Sequence, residues 1–389
     1  MNVLLLGVGL QGRAALYDLV RSAEVERVFA ADADQAGLAA YVEQLGSDKV
    51  TPLALNAGDP EQLAAAMAEV DAVIELLPPA FHAVTARAAV EQGIHWVNAS
   101  YPNSEIEALD EQAKAAGVTL LPECGLDPGI DLLLAAQVLR ELDEVHEFYS
   151  YGSGVPEPAA ADNPIAYKIS WTFDGVLRGY RRPGRVVTGG RITPYSDREQ
   201  FEPRNVHLID VAGLGKMEAY PNGDVVPYLE ALGILDSVRE AARYTTRWPG
   251  HMAFWKTLVD LGFLDDEPIK VEGARVSPRA FVRELLEPQL QYADDERDVA
   301  FLRVEASGLK EGEPRRVVYE LVDYRDLESG LLAMQRTVGF TASIAAQMLV
   351  RGDIEETGLL SPLTDVPAAL ILTELETRGV HVRRSIQTV

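Results

Sequence analysis

The chain has 389 residues, of which 47% are hydrophobic and 24% charged, and its mean hydropathy is −0.02. Its 60 acidic and 35 basic side chains give a formal net charge of −25, which argues against nucleic acid or an anionic membrane surface as a partner. No run of 18 uncharged apolar residues occurs, so no membrane span is expected. A single cysteine, Cys124, excludes an intrachain disulfide and fits a reducing compartment, so we expect a cytoplasmic location.

Residues 1–121 alternate short apolar runs with alanine-rich, helix-like stretches such as PEQLAAAMAEV. Six strands separated by helix-length segments are typical of a parallel sheet with helices on both faces. The sequence therefore predicts an α/β protein with an N-terminal Rossmann-type, doubly wound parallel sheet. Its predicted strands are residues 2–6, 27–31, 51–55, 72–77, 95–99 and 118–121.

The pattern changes from about residue 140, where aromatic and glycine-rich alternating stretches appear. GRVVTGGRI contains a Gly-Gly turn, and FLRVEASGLKEGEPRRVVYELVDYRD predicts a hairpin around a charged turn. Residues 329–352 return to apolar helical periodicity, which predicts a helix that packs on the first domain. We therefore expect a dinucleotide-binding domain of residues 1–128 and 329–389. An inserted α+β domain of residues 129–328 is expected to bind substrate and to mediate dimerisation.

LLLGVGLQGRAAL places Gly7, Gly9 and Gly12 in a G-x-G-x-x-G pattern between the first predicted strand and a helix. The first glycine permits a tight turn, the second lets the backbone approach a pyrophosphate, and the third lets helix and strand pack closely. The helix N-terminus then offers amide donors to the phosphates. The pattern predicts dinucleotide binding, with further contacts from Leu10 and Gln11.

Asp32 closes the second predicted strand, 20 residues after Gly12. A carboxylate there accepts hydrogen bonds from the adenosine ribose and repels a 2′-phosphate, and no arginine follows it, so NAD is favoured over NADP. An ordinary aspartate at a strand end is the structural alternative. Asn56 or Asp59 could approach the adenine, although turn chemistry explains both nearly as well. Leu77 and Pro78 are also predicted to contact the nucleotide.

The loops after the fourth, fifth and sixth predicted strands carry polar side chains that should meet where ligands bind to such a sheet. These side chains are His82, Ser100, Tyr101, Cys124 and Asp127. Each has a structural alternative. His82 could start a helix, Ser100 could belong to a turn or a cap, and Asp127 followed by Pro128 at the first helical position could be a helix cap. Cys124 is most simply a small buried apolar residue.

Taken together, these loops resemble the saccharopine dehydrogenase family, both its glutamate-forming reductases and the related lysine 6-dehydrogenases. The resemblance covers nearly the whole chain. GLDPGID and the DNPxxYKxSW block, within residues 155–171, are its most specific motifs. TTRWPGH and LVDLGFLDDEPI are more similar to lysine 6-dehydrogenases.

The resemblance implies a pyridine-nucleotide oxidoreductase that acts on a CH–NH bond of an amino acid. It also implies that Ser100, Tyr101 and Asp127 approach the substrate and that Asn163 contributes from the second domain. Two positions depart from the family: Gly223 stands where the reductases have a carboxylate-binding arginine, and Gly152 stands where they have a cysteine. Arg247 or Arg178 could replace the arginine, or the substrate lacks that carboxylate. Arg247 could also be a structural ion-pair partner.

In the implied chemistry, hydride passes from the carbon that bears the amine to the nicotinamide, and water hydrolyses the resulting imine. We expect Asp127 to exchange the amine proton, Tyr101 to position the reacting groups, and Lys168 or His82 to be the alternatives for proton transfer. Lys168 could equally contact a ribose or a carboxylate, or be a surface cation. No metal is expected, and a homodimer is expected by analogy. The alternative activities are a lysine 6-dehydrogenase or a carboxyalkyl-polyamine dehydrogenase, and the alternative of another class is a non-catalytic NAD sensor or scaffold.

Overall fold

The protein is described by a computed structural model that covers residues 1–388 and has an α/β fold. The chain forms two compact units. Residues 1–137 and 335–381 form the first unit, and residues 138–334 and 382–388 form the second. Across residues 1–388, no helix has the length and apolar character that a membrane crossing requires.

The first unit contains short strands and helices in regular alternation. Its strands are β1 (Asn2–Leu6), β2 (Arg27–Ala31), β3 (Val50–Leu53), β4 (Ala72–Glu75), β5 (His95–Asn98) and β6 (Thr119–Leu121). Its helices up to that point are α1 (Leu10–Arg21), α2 (Gln35–Leu45), α3 (Pro60–Met67), α4 (His82–Gln92), α5 (Ser104–Glu107) and α6 (Asp110–Ala116), with a 3₁₀ turn at Pro79–Phe81. Helix α7 (Ile130–Arg140) then runs into the second unit.

The strands of the first unit form one parallel sheet, in the order β6-β5-β4-β1-β2-β3. All six strands lie where the sequence predicts them, so the doubly wound sheet is confirmed. A seventh strand, β17 (Gly358–Leu359), pairs with β6 at the edge and was not predicted. The carboxyl ends of all these strands lie along one edge of the sheet because the strands are parallel.

The last part of the first unit comes from residues 335–381 and includes most of α12 (Ala333–Arg351) and α13 (Ala368–Thr377). Helix α12 packs closely on α1, since a Cβ at Gly339 would lie 2.6 Å from the Ala15 nitrogen. Buried Asp18 of α1 accepts hydrogen bonds from the Ser343 hydroxyl (2.6 Å) and from the Arg378 Nε (2.6 Å). The predicted helix of residues 329–352 and its packing on the first domain are therefore confirmed.

The second unit is built on a mixed sheet with helices packed beside it. Its strands are β7 (Glu144–Pro156), β8 (Gly184–Thr188), β9 (Arg191–Tyr195), β10 (His207–Val211), β11 (Gly215–Pro221), β12 (Glu240–Arg247), β13 (Ile269–Val271), β14 (Ala274–Val276), β15 (Asp298–Lys310), β16 (Glu313–Tyr324) and β18 (Val382–Thr388). Its helices are α8 (Phe173–Gly179), α9 (Val226–Ala231), α10 (His251–Asp260) and α11 (Pro278–Leu286), with a 3₁₀ turn at Glu287–Gln289.

The large sheet of the second unit has the order β10-β11-β12-β7-β15-β16-β18, with β8 paired to β12 and β9 paired to β8. Both predicted hairpins are present: Gly189 and Gly190 join β8 to β9, and Glu311 and Gly312 join β15 to β16. Residues 382–388, which were predicted to belong to the first domain, instead pair with β16. One face of the sheet is covered by an aromatic core that includes Tyr167, Tyr180, Tyr220 and Trp255.

Candidate active site

The glycine-rich loop between β1 and α1 is shaped by two glycines that no larger residue could replace. Gly7 has a φ of +90°, and a Cβ on it would lie 2.7 Å from the Leu76 carbonyl oxygen. A Cβ on Gly12 would lie 1.9 Å from the Gly7 carbonyl oxygen. These approaches pack the first turn of α1 against the sheet, as the glycine pattern requires.

Gly9 differs from its two neighbours because nothing in the protein lies within 4 Å of the Cβ that it lacks. It is the N-cap of α1 and has no side chain to satisfy the first amides of the helix. An open space beside uncapped helix amides fits a pyrophosphate. Of the other predicted contacts, Leu10 and Pro78 are exposed, whereas Gln11 and Leu77 are half-buried, with Leu77 beside Gly7.

Asp32 lies directly beside the glycine-rich loop. Its Oδ2 accepts a hydrogen bond from the Val8 amide (2.7 Å), and its Oδ1 accepts one from the Asp34 amide (2.8 Å). The carboxylate is thus fixed at the end of β2, where a ribose is expected. Asp59 caps α3, because its side chain accepts hydrogen bonds from the amides of Glu61 and Gln62. The structural alternative for Asp59 is therefore present, and its contact with adenine stays a prediction.

The loops after β5 and β6 bring two predicted site residues together. The Glu123 amide donates to the Ser100 carbonyl (3.0 Å), and the Cys124 amide donates to the Asn98 carbonyl (2.8 Å), which joins the two loops. The Tyr101 hydroxyl lies 3.4 Å from Asp127 Oδ1 as a result. Both side chains are half-buried. A phenol and a carboxylate therefore form a pair at the carboxyl ends of the strands.

The helix-cap alternatives for two residues of these loops are wrong. Helix α7 begins at Ile130, so Pro128 is not at the first helical position and Asp127 lies three residues before the helix. Helix α5 is capped by Asn103, whose side chain accepts from the Glu105 and Ile106 amides, so Ser100 is not that cap. Cys124 is 2% exposed, and burial raises the pKa of its thiol, which agrees with a packing role.

His82 belongs to a buried polar cluster rather than to an open surface. Its Nε2 lies 3.1 Å from the Leu77 carbonyl oxygen and 3.7 Å from Glu75 Oε2. Glu75 is fully buried at the end of β4 and accepts hydrogen bonds from the Leu77 amide and the Asn98 side chain. Burial lowers the pKa of His82 and raises the pKa of Glu75 to about 8, so both groups are mainly neutral at pH 7. The alternative that His82 starts a helix is confirmed, since α4 begins there.

A Glu75→Gln variant is expected to change how stability depends on pH. The folded protein holds the Glu75 proton up to about pH 8, whereas the unfolded chain releases it near pH 4.5, so wild-type stability should fall as pH rises through that window. A tenfold difference in proton affinity is worth about 1.4 kcal/mol, and the fall attributable to Glu75 is up to about 5 kcal/mol. Urea unfolding at several pH values between 5 and 9 should show a flatter profile for the variant. Glu91→Gln, on the exposed surface of α4, is the control, and matching wild-type and Glu75→Gln profiles would contradict the expectation.

In the second unit, Asn163 and Lys168 lie in one loop. The Asn163 side chain donates to the Tyr167 carbonyl (2.7 Å) and accepts from the amides of Ile165 and Tyr167, so it shapes the segment that leads to Lys168. Lys168 is 6% exposed and forms ion pairs with Asp162 (3.0 Å) and Glu296, so it is not a surface cation. Burial opposes its charge, but these carboxylates hold the pKa of Lys168 above its usual value. To act in proton transfer, Lys168 would have to break one of these two ion pairs.

Arg247 and Arg178, the predicted substitutes for the missing arginine, have different surroundings. Arg178 is exposed and forms an ion pair with Asp174, one turn earlier in α8. Arg247 is 7% exposed at the end of β12 and stacks over the Tyr167 ring, 5.2 Å from its centroid. Among residues 1–388, no carboxylate lies within ion-pair distance of Arg247, and its Nε has no hydrogen-bond partner. The alternative of a structural ion pair is therefore wrong for Arg247.

Two family models match consecutive parts of the chain. Residues 3–121 match the saccharopine dehydrogenase NADP binding domain, and residues 125–380 match the saccharopine dehydrogenase C-terminal domain. The chain belongs to the saccharopine dehydrogenase family. The predicted family is therefore confirmed, and so is the function class, an oxidoreductase acting on a CH–NH bond.

Relatives of this family match over most of the chain. A saccharopine dehydrogenase [NADP(+), L-glutamate-forming] of Pyricularia oryzae is 28% identical over 88% of this chain and 90% of its own length. Apo saccharopine dehydrogenase (L-Glu forming) from Saccharomyces cerevisiae superposes with a TM-score of 0.87 at 27% identity, covering 100% of both chains. Alpha-aminoadipic semialdehyde synthase of Arabidopsis thaliana is 29% identical over 82% of this chain, which spans only 37% of that protein.

Binding of a pyridine nucleotide is supported by the first family model and by the geometry of the glycine-rich loop. The family model and the fungal relative name NADP, not the NAD that Asp32 favours. Glu75 and Asn98 were not predicted as site residues, although a polar residue that ends an apolar strand, as in AVIE and HWVN, is a usable indication.

Proposed function

We propose that this chain is a pyridine-nucleotide-dependent dehydrogenase that oxidises an amino acid at a secondary amine. The observation that carries the proposal is the Tyr101–Asp127 pair, which lies at the carboxyl ends of β5 and β6 in the same unit as the glycine-rich loop. Ligands of doubly wound sheets bind outside these strand ends. The pair therefore lies at the edge of the sheet where a bound nicotinamide is expected.

A bound nicotinamide supplies the hydride acceptor for this chemistry. The protein has to hold the substrate amine neutral, so that hydride can leave the carbon beside it. We assign the amine proton to the Asp127 carboxylate and the orientation of that carboxylate to the Tyr101 hydroxyl. After it has passed that proton to solvent, the same carboxylate can take a proton from the water that attacks the imine carbon, which gives a carbonyl and a free amine. Buried His82 is kept as an alternative for proton transfer.

Substrate binding is proposed for Ser100 in the first unit and for Asn163, Lys168 and Arg247 in the second. Arg247 supports this best. Its buried guanidinium donates to the Thr246 carbonyl and stacks on Tyr167, but its Nε has no partner, and a carboxylate of the ligand would supply one. Ion pairs with Asp162 and Glu296 hold the Lys168 ammonium in place. This arrangement favours Lys168 as a fixed positive charge beside the ligand and not as a base.

The cofactor preference is proposed to be NAD. Asp32 is fixed by two backbone amides and followed by Ala33 and Asp34, so a 2′-phosphate would meet negative charge and no guanidinium. The name of the matching domain model points to NADP instead, so the preference has to be measured.

A variant that combines Asp32→Ala with Ala33→Arg is expected to favour NADP. The ratio of kcat/KM for NADP to kcat/KM for NAD should rise roughly 100-fold or more, because the repulsion of the 2′-phosphate is removed and a phosphate partner is added. Steady-state kinetics with both nucleotides measure the ratio. Glu43→Ala is the control, since it removes an exposed carboxylate of α2 that the assignment does not use. A wild-type enzyme that already prefers NADP would contradict the assignment.

The proposed function is tested by following nucleotide reduction in the near ultraviolet with saccharopine, lysine and carboxyalkyl polyamines as substrates. Turnover of saccharopine is expected. Turnover of lysine or a carboxyalkyl polyamine alone would favour the corresponding alternative activity. Measurable nucleotide binding without turnover of any of them would sink the enzyme proposal and favour a sensor or scaffold. The homodimer and the cytoplasmic location stay predictions.

A further inference from the structure

Glu75 and Asn98 form a buried polar pair where β4 and β5 end side by side in the parallel sheet. Glu75 is fully buried and Asn98 is 2% exposed. The Asn98 side chain donates to Glu75 Oε2 and, at 3.0 Å, to the Glu75 carbonyl oxygen. Burying a carboxyl group costs stability, and burial raises the pKa of Glu75 to about 8 despite its hydrogen bonds. An apolar residue at position 75 would avoid that cost, so stability alone does not explain the pair.

Both oxygens of the Glu75 carboxyl group accept hydrogen bonds. Oε2 accepts from Asn98, and Oε1 accepts from the Leu77 amide (2.8 Å). The Leu77 side chain lies beside the glycine-rich loop, because a Cβ on Gly7 would lie 3.2 Å from the Leu77 Cδ2. The Leu77 carbonyl oxygen lies 3.1 Å from His82 Nε2, so the backbone of Leu77 is held on both sides. Glu75 therefore links β5 to the segment beside the glycine-rich loop.

Asn98 extends this connection to the loops after β5 and β6. Its Oδ1 accepts from the Ser100 amide (2.5 Å), and its carbonyl oxygen accepts from the Cys124 amide (2.8 Å). The two loops are also packed closely, since a Cβ on Gly125 would lie 3.3 Å from the Ala99 oxygen. Both members of the proposed catalytic pair follow shortly after these segments. The position of that pair therefore depends on hydrogen bonds of one buried asparagine.

We propose that Glu75 and Asn98 are positioning residues, which fix the loops of Tyr101 and Asp127 relative to the Leu77 segment. The inference rests on the proposed function and adds two residues that act on the reaction through the catalytic pair. A displacement of about 1 Å in reacting groups can cost roughly 100-fold in rate. The pair couples three strand ends of one sheet through side-chain hydrogen bonds, so a change in either residue should move the loops without unfolding the sheet.

The hydrogen bonds of the pair can be broken and then restored, which separates positioning from folding. In Glu75→Gln, the amide offers one oxygen where two N–H groups point, so either the Leu77 amide or Asn98 loses its acceptor. Adding Asn98→Asp supplies an acceptor for the new amide group. The second carboxylate oxygen at position 98 still accepts from the Ser100 amide. Asn98→Ala removes the connection altogether.

Steady-state kinetics with saccharopine test the inference, with kcat expressed per bound nucleotide so that unfolded protein is not counted. In Glu75→Gln and Asn98→Ala, kcat is expected to fall roughly tenfold or more, and by a larger factor than KM rises. The double variant Glu75→Gln/Asn98→Asp should recover to within about threefold of the wild type. Glu91→Gln, on the exposed surface of α4, is the control and should match the wild type.

A wild-type kcat per bound nucleotide in Glu75→Gln would limit the pair to a role in stability and would overturn the inference. A double variant no better than Glu75→Gln would overturn it as well, because the pairing would then have no influence on the rate.

Hydrogen–deuterium exchange needs no turnover and follows the loop directly. The Ser100 amide should exchange roughly tenfold faster in Glu75→Gln and Asn98→Ala than in the wild type, and at nearly the wild-type rate in the double variant. Peptides from α13 should exchange alike in all of them. Unchanged exchange at Ser100 in Asn98→Ala would overturn the inference. If the wild type oxidises none of the amines, the proposed function fails, and the exchange rates still decide whether the pair holds the loop.

Discussion

An Asp127→Asn variant is expected to lose roughly 10²- to 10⁴-fold in kcat, the range over which a positioned acid–base group contributes. The amide keeps the shape of the side chain and its approach to Tyr101, but it does not accept the amine proton. Because the lost interaction belongs to proton transfer, kcat should fall more than the KM for the amine rises.

Tyr101→Phe supplies the comparison within the same pair. The Tyr101 hydroxyl lies 3.4 Å from Asp127, a long contact that orients the carboxylate rather than carrying its proton, so a loss of roughly tenfold is expected. Thermal unfolding and nucleotide affinity should remain at wild-type values in both variants. An Asp127→Asn enzyme that retained more than a tenth of the wild-type kcat would remove Asp127 from the proton-transfer role.

A Gly9→Ala variant is expected to fold normally and to bind the nucleotide roughly 100-fold more weakly. The added methyl group meets nothing in the protein within 4 Å, and Gly9 has a φ of −72°, so the fold loses little. The same methyl group occupies the space beside the first amides of α1 and would keep a pyrophosphate from at least two charge-assisted hydrogen bonds. Fluorescence titration with the reduced nucleotide measures the affinity.

Gly179→Ala is the matched control, because its Cβ also meets nothing within 4 Å and it lies at the end of α8. It should bind the nucleotide like the wild type. Gly12→Ala should behave differently from both, since its Cβ would lie 1.9 Å from the Gly7 oxygen and the variant should lose stability as well as binding. A Gly9→Ala protein that bound the nucleotide within threefold of wild type would show that the phosphates do not lie there.

The parallel sheet could be predicted because each of its six main strands is a short apolar run bounded by helix-like sequence. Strand β17 could not, since its two residues, Gly358 and Leu359, have no periodicity of their own and are defined by pairing with β6. Residues 382–388 were assigned to the wrong unit for a related reason. Their alternation predicts a strand at most, and only the pairing with β16 decides which sheet they join.

The approach of Tyr101 to Asp127 was predictable, because both follow strands whose carboxyl ends lie at one edge of the sheet. The surroundings of Arg247 were not predictable. They depend on Tyr167, which lies 80 residues away along the chain and provides the ring over which the guanidinium stacks. The sequence alone does not show that Arg247 is buried without a carboxylate partner among residues 1–388, whereas Arg178 pairs with Asp174 one turn away.

The hydrogen bonds of Asp18 have a consequence for the order in which the protein can fold during synthesis. This aspartate leaves the ribosome early, but its partners Ser343 and Arg378 follow 325 and 360 residues later. At 5 to 20 residues per second the wait is roughly 20 to 70 s. Residues 138–334 of the second unit are translated in that interval, so the nucleotide-binding unit starts first but is completed only after most of the second unit has been made. A fragment that ends at residue 121 would lack Ser343 and Arg378, the hydrogen-bond partners of Asp18. We expect such a fragment to be recovered mainly as aggregate.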